Sequence, residues 1–312
     1  MKLNKPKFWD YKKLNFLGIL LLPLTFPIII NNFILKIRTK KKSSKIKSIC
    51  VGNIYIGGTG KTPLTIELYK IFHKLNYKVS TAKKFYKNHL DEQTILKNKT
   101  NLIISPSRQK ALIIAEGRTD NLIIFDDGLQ EKNIDYDLKF VCFNVKNWIG
   151  NGCLIPAGPM RERLESLKKY DAVFLNGTNQ NNSEIKKIIS KINSKIEIFE
   201  AIYKPTNLDT IDLSSNYLAF SGIGNSNNFK ETLMQNNVSI IKEMTYPDHY
   251  KYNKNDIDKI ITQAKELNAK IITTEKDYVK INSKDKEKIN FLEIVLEIQK
   301  KDKLINFIKD KL

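Results

Sequence analysis

The sequence predicts an α/β protein: a doubly wound, mostly parallel sheet, a second and smaller α/β domain later in the chain, and an apolar amino-terminal segment ahead of both. Three observations predict this. Short apolar runs bounded by turn residues alternate with amphipathic stretches along most of the 312 residues. A glycine-rich turn directly follows the first of these runs. The alternation lapses around residues 204–215, where Pro205, Asn207, Ser214 and Ser215 cluster, and then resumes. A chain this long also exceeds the usual size of one hydrophobic core. The expected division is 1–40, 41–208 and 209–312.

From Leu14 to Leu35 there is no charged residue, a length that permits a membrane span. Pro23 and Pro27 interrupt it, and Asn31-Asn32 lie within it. Lysines flank both sides, Lys12 and Lys13 before, Lys36, Lys40, Lys41 and Lys42 after. A segment lying in or re-entering the interface leaves both clusters on one anionic leaflet, whereas a span carries one of them across. Attachment is therefore favoured over a single span, and a buried pair of helices is the plain alternative. No small-residue cleavage site follows, which argues against a cleaved leader.

Ile46 to Val51 reads as a buried strand, and Thr62 to Leu75 as a helix with apolar residues at 64, 68, 71, 72 and 75. Between them stands Gly57-Gly58-Thr59-Gly60-Lys61-Thr62. Strand, glycine-rich turn, Gly-Lys-Thr and helix form a phosphate-binding loop, the mark of P-loop NTPase-like folds. Glycines let backbone N–H groups turn inward around a polyphosphate, and the helix N-terminus adds partial positive charge. Lys61 suits the β- and γ-phosphates, and the Thr62 hydroxyl suits Mg²⁺. Tyr55 stands where the usual pattern has its first glycine, and the nearest upstream glycine is Gly52. Pro63 fits a first helical turn, because it gives up only an N–H that has no partner there.

Further strands are expected at Lys78 to Ala82, Leu102 to Ser105, Leu122 to Phe125, Leu138 to Phe143 and Ala172 to Leu175, with a helix from Ser107 to Glu116. The run from Lys83 to Glu92 reads as a polar loop entering a helix. The phosphate loop, the Asp91 loop and Asp126-Asp127 all fall at carboxyl ends of strands, where such sheets bind ligands. Asp126-Asp127 after Leu122-Ile123-Ile124-Phe125 has the form of a Walker B strand, against the simpler reading of Asp127-Gly128 as a turn. After the boundary come strands at Tyr217 to Phe220, Ser239 to Ile241 and Lys270 to Thr273, and helices from about Asn227 to Asn236 and Asn255 to Asn268. Of three histidines, His73 reads as structural, and His249 follows a Pro-Asp turn that presents it from a loop.

The formal charge of +20 invites a nucleic-acid reading, but only five residues are Arg and no reading module accompanies the charge. The excess is lysine in a chain also rich in Ile and Asn, a compositional bias, and part of it suits an anionic membrane surface. Cys50, Cys142 and Cys153 form neither a disulfide framework nor a metal-ligand spacing, and read as buried free thiols.

Several segments occur together in order: Val51 to Pro63, Asp126-Asp127-Gly128-Leu129-Gln130, Gly150 to Glu162, Phe220-Ser221-Gly222-Ile223-Gly224, Pro247-Asp248-His249 and Thr274-Glu275-Lys276-Asp277. In this the chain resembles the tetraacyldisaccharide 4′-kinase family from its amino terminus to about Lys280. The resemblance implies transfer of the ATP γ-phosphate to the 4′-hydroxyl of a tetraacylated glucosamine disaccharide 1-phosphate, a step of lipid A biosynthesis at the cytoplasmic face of the inner membrane. It implies Mg²⁺, and two α/β domains with the site in the cleft between them. By position, Asp91 is the expected general base and His249 the group that orients it. Lys61 and Thr62 handle phosphate and Mg²⁺, Glu92 and Asp127 are candidates for the metal shell, and Arg108 matches an arginine near the phosphates. The expected partners are the glycolipid and the membrane surface, without nucleic acid and as a monomer.

The chain departs from the family in lacking an Arg- and Gly-rich turn near Lys83 to Lys87, and in having Leu90 for Gly and Glu131 for His. Lys83, Lys84 and Lys87 are available as substitute cations toward an anionic lipid. The competing class is a membrane-associated P-loop ATPase switch that recruits protein partners, whose ATP turnover would need no glycolipid.

Overall fold

The computed structural model describes residues 6–38, 45–87, 89–177 and 182–312. Lys40, Lys41 and Lys42, and the side chains of Asn31, Asn32 and Lys36, lie outside the described set. At the amino terminus, α1 (Phe16–Leu21) and α2 (Thr25–Arg38) are joined by a 3₁₀ turn, Leu22–Leu24, with Pro23 in its first turn. The Asn15 side chain caps α1 by accepting the Gly18 N–H at 2.9 Å. No helix among the described residues is long and apolar enough to cross a membrane. Phe16, Leu20 and Phe26 are 77%, 64% and 64% exposed, a concentration of apolar surface that water does not favour. Trp9, just before, is buried, and its indole N–H donates to the Pro156 carbonyl at 3.0 Å.

The remaining elements are β1 (Lys47–Gly52), α3 (Lys61–Lys74), β2 (Val79–Lys84), α4 (Leu90–Lys99), β3 (Leu102–Ser105), α5 (Arg108–Gly117), β4 (Leu122–Asp126), β5 (Leu138–Asn144), β6 (Ala172–Asn176), α6 (Asn182–Ile192), β7 (Glu197–Pro205), β8 (Asn216–Ser221), α7 (Ser226–Gln235), β9 (Ser239–Thr245), α8 (Lys254–Glu266), β10 (Lys270–Thr274), α9 (Glu275–Tyr278), α10 (Ser283–Lys286), β11 (Ile289–Leu292), β12 (Ile294–Ile298) and α11 (Lys301–Lys311). Every strand and helix read from periodicity is present, with ends shifted by a few residues. They form two compact units that interleave along the chain.

The first unit comprises Met1–Phe85, Lys99–Ile202 and Leu296–Leu312. Its sheet runs β12-β7-β6-β5-β1-β4-β2-β3, parallel at each pairing from β7 to β3. Apolar residues fill both faces of β1, β4 and β5, which is why they read as continuous runs. Register sets Val51 beside Asp126, so the loop after β1 and the aspartates after β4 share one end of the sheet. The carboxyl-terminal helix α11 returns to this unit, burying Leu304 and Ile308 and pairing Lys301 with Glu67 at 2.8 Å. Cys50 and Cys142 are buried free thiols as expected, but Cys153 is only half-buried.

The second unit comprises Tyr86–Asn98 and Tyr203–Val295. Its four-stranded sheet, β11-β10-β8-β9, is parallel throughout. Alternate residues of β8 enter two cores, Tyr217 and Ala219 with Leu233 and Ile272, and Leu218 and Phe220 with Ile257 and Ile260. Most of α4, with Asp91, packs into this unit, although its position in the chain suggests the first.

Candidate active site

In the first unit the phosphate loop takes conformations that glycine alone adopts freely: φ is +124° at Gly57 and +84° at Gly60, the residue that caps α3. Lys61 and Thr62 then occupy the first turn, where backbone N–H groups have no helical partner. Thr59 is fixed from two strand ends. Asn53 donates to its hydroxyl at 3.0 Å, and Asn176 at the end of β6 donates to its carbonyl at 2.5 Å. Tyr55 explains the missing glycine. Residues 54–56 pair with 159–161, through Ile56 N–H to the Pro159 carbonyl (2.9 Å) and Arg161 N–H to the Ile54 carbonyl (2.8 Å). This part of the loop is bridged backbone, and the buried Tyr55 ring anchors it by donating its hydroxyl to Asp10 at 2.8 Å.

The two aspartates after β4 have different surroundings. Asp126 is fully buried, and its Oδ2 accepts the Thr62 hydroxyl at 3.0 Å and the Lys83 ammonium. Its Oδ1 is buried without a hydrogen-bond partner. Lys83 is 3% exposed, so its expected place as a cation toward lipid is corrected: it neutralises a core carboxylate. Removing one partner of such a pair costs about 3–5 kcal/mol. The carboxylate that Thr62 meets is Asp126, the neighbour of the metal-shell candidate Asp127. Asp127 has φ +58°, uncommon for a residue with a side chain, and its carboxylate meets Arg161 at 3.1 Å. Burial pushes the Asp127 pKa up, but the charges of Lys61, Arg161, Lys83 and Arg108 outweigh it and hold it below the usual carboxylate value. Arg108 donates to the Asp127 carbonyl and to Glu131 at 3.4 Å, bracing the turn after β4. Gln130 closes the same turn, donating to the Asn53 carbonyl at 2.9 Å and accepting from Arg161 at 3.1 Å.

In the second unit, Asp91 stands in the first turn of α4 and is buried. His249 Nδ1 lies 2.9 and 3.0 Å from its two oxygens, and the Glu92 N–H donates to Oδ1 at 2.9 Å. The three carboxyl-terminal motifs meet here through one residue. Asp277, fully buried, accepts the Gly222 N–H at 2.9 Å, the Thr274 hydroxyl at 2.7 Å and the Tyr252 hydroxyl at 3.1 Å. The Gly222 carbonyl in turn accepts the His249 N–H at 3.2 Å, holding His249 at φ +57°. A Cβ on Gly222 would stand 2.9 Å from the Tyr252 hydroxyl and 3.1 Å from Asp277 Oδ1, so the joint needs glycine.

Lys276 completes the cluster. Its ammonium lies 3.1 Å from Asp248, 3.3 Å from Glu92 and 3.4 Å from His249 Nε2. An ammonium only donates, so Nε2 accepts and the imidazole proton sits on Nδ1, facing Asp91. Glu92, expected in a metal shell, is engaged by this lysine. Burial pushes the Asp91 pKa up, yet the His249 hydrogen bond and the Lys276 charge hold it below the usual value. Burial works against the Lys276 charge, and Glu92, Asp248 and Asp91 outweigh it and push its pKa up. His89 stacks on His249 with ring centres 4.3 Å apart. Sequence reasoning assigned no role to Lys276, Asp277 or His89. The motif Thr274-Glu275-Lys276-Asp277 was the available signal for two of them.

A pH dependence follows. Asp91 has a depressed native pKa, so its ionised state favours the fold above its unfolded pKa, and that support is lost as pH falls through the native value. Lys276→Met removes an attracting charge and raises the Asp91 pKa. The acid limb of the kcat–pH profile should move to higher pH, and an unmoved limb would show that Lys276 does not act on Asp91.

A loop built to hold a polyphosphate, running into a helix and flanked by an aspartate at a neighbouring strand end, places the chain among P-loop NTPase-like α/β proteins. The family model for tetraacyldisaccharide-1-P 4′-kinase matches residues 18–312, and the chain belongs to this family of lipid A biosynthesis kinases. A tetraacyldisaccharide 4′-kinase of Pelagibacter ubique (strain HTCC1062) is 48% identical over 308 residues, covering 98% of this chain and 97% of that one. Its counterpart in Rickettsia typhi (strain ATCC VR-144 / Wilmington) is 35% identical, covering 97% of each. The crystal structure of LpxK from Aquifex aeolicus in complex with ATP aligns with a TM-score of 0.70 at 22% identity, over 95% of this chain and 99% of that one.

Proposed function

We propose that this chain transfers the γ-phosphate of ATP to the 4′-hydroxyl of a tetraacylated glucosamine disaccharide 1-phosphate, at the cytoplasmic face of the inner membrane. The observation that carries the reading is the buried Asp91–His249 pair, in a chain whose other unit holds the phosphate loop. A sugar hydroxyl has a pKa far above neutral, so a positioned carboxylate must take its proton as the bond to phosphorus forms. Asp91 fits that task because the His249 N–H and the Lys276 charge keep it ionised despite burial. Lys61 and the backbone N–H groups of residues 57–62 stabilise charge on the transferring phosphoryl group.

Mg²⁺ fits the first unit. Thr62 and Asp126 would hold it, since the partnerless Asp126 Oδ1 suits a hard cation and the Thr62 hydroxyl keeps lone pairs while donating to Oδ2. Asp127, next to Asp126 in the chain, is a further candidate. When bound, the ion neutralises charge on the β- and γ-phosphate oxygens.

Purified protein with ATP, Mg²⁺ and the disaccharide acceptor in detergent should consume ATP only when acceptor is present. Equal turnover without acceptor would support the ATPase-switch reading instead.

We further propose that the exposed face of Phe16, Leu20, Leu24 and Phe26 lies in the membrane interface, where each large apolar side chain contributes about 1.5–3 kcal/mol on burial. Phe16→Glu with Leu20→Glu should move the protein from sedimenting vesicles of anionic lipid to the supernatant, with nucleotide binding retained. Unchanged sedimentation would place attachment elsewhere. Deleting the whole segment is a poorer test, because Trp9 and Asp10 hold residues of the first unit.

A further inference from the structure

Lys83 ends up where no family expectation put it. It sits near the end of β2, 3% exposed, with its ammonium on Asp126 Oδ2, the oxygen that also accepts the Thr62 hydroxyl. Each acidic group at this end of the sheet already has a cation: Lys83 on Asp126, Arg161 on Asp127 and Arg108 on Glu131. Lys61 adds a further positive charge felt by Asp127. Before nucleotide arrives, cations therefore outnumber carboxylates here. Such a site attracts a polyphosphate and repels a bare divalent ion. An ion at Asp126 would share its carboxylate with an ammonium that solvent cannot screen in this buried place.

We propose that Lys83 is a resident counter-ion that keeps divalent metal out of the Asp126 site until nucleotide binds, so that the metal enters with ATP rather than ahead of it. This rests on the reading of Thr62 and Asp126 as the residues that hold the metal. A phosphate chain reverses the local balance, since its charge exceeds the surplus of cations, and metal and Lys83 can then be accommodated together. Lysine also keeps the buried Asp126 charge paired before nucleotide binds.

The test uses Mn²⁺ as a paramagnetic probe on the full chain, with and without ADP. Wild-type protein without nucleotide should bind Mn²⁺ at least about tenfold more weakly than with ADP. Lys83→Met should close most of that gap by strengthening binding to the nucleotide-free protein about tenfold. Lys83→Arg, which keeps the charge, should behave as wild type. Equal Mn²⁺ affinity of wild type with and without ADP overturns the proposal, and this arm needs no variant to fold. Unchanged affinity in Lys83→Met with a native thermal transition also overturns it. Asp126→Asn separates the two readings. Loss of Mn²⁺ binding in the presence of ADP supports Asp126 as the metal carboxylate, whatever Lys83 does, and retained binding removes that assignment and the proposal with it.

Discussion

Lys61→Ala should lower turnover by at least about 10²–10³-fold while thermal stability stays close to wild type. Phosphoryl transfer leaves the protein little covalent work, so its rate depends on charge held in place. Lys61 is the first residue of α3, directly after Gly60 in its left-handed conformation. Its backbone position is set by that turn and by the asparagines that hold Thr59, none of which the substitution touches. The loss should therefore fall on turnover rather than folding. Steady-state kinetics and a melting curve on the same preparation check this. Near-normal turnover in folded Lys61→Ala protein would remove the phosphate loop from the chemistry.

Asp91→Asn should cut kcat by about 10²–10⁴-fold with little change in ATP affinity, and His249→Ala should cut it by a comparable amount. The sequence assigns these residues to different domains, which would make their contact depend on domain closure. The structure corrects this: both belong to the second unit, and the 2.9 Å contact is part of that unit's own fold. Two residues that act as one group lose their effect together, so the double variant should be hardly worse than the worse single one. Fully multiplicative losses would separate their roles. Wild-type activity in Asp91→Asn would move the base to another carboxylate.

The legible parts of this molecule are the local ones. The phosphate loop is six consecutive residues whose conformation follows from glycine placement, and the strands that carry it are buried on both faces and so apolar throughout. What escaped reading depends on partners far along the chain. Lys83 belongs by composition to a run of lysines, and its burial against Asp126, on a different strand, cannot be read from that run. That Thr62 meets Asp126 follows from Asp126 ending β4 beside Val51, whereas Asp127, at φ +58°, leaves the strand and meets Arg161. Asp91 lies between β2 and β3 in the chain, yet α4 packs with residues more than a hundred positions away. Lys276 is an ordinary charge until Asp248, Glu92 and His249 gather around it. Likewise β7 and β12, half-buried and mixed in composition, pair only once the chain has passed through β8 to β11 of the second unit between them.

The most direct measurement of the central claim is the position of the phosphate on the product. Wild-type protein with ATP, Mg²⁺ and the tetraacylated disaccharide 1-phosphate should yield a lipid whose ³¹P spectrum shows two phosphomonoesters. The new one should couple to H4 of the distal glucosamine. A pyrophosphate at the 1-position, or inorganic phosphate released with the acceptor unchanged, would contradict the account.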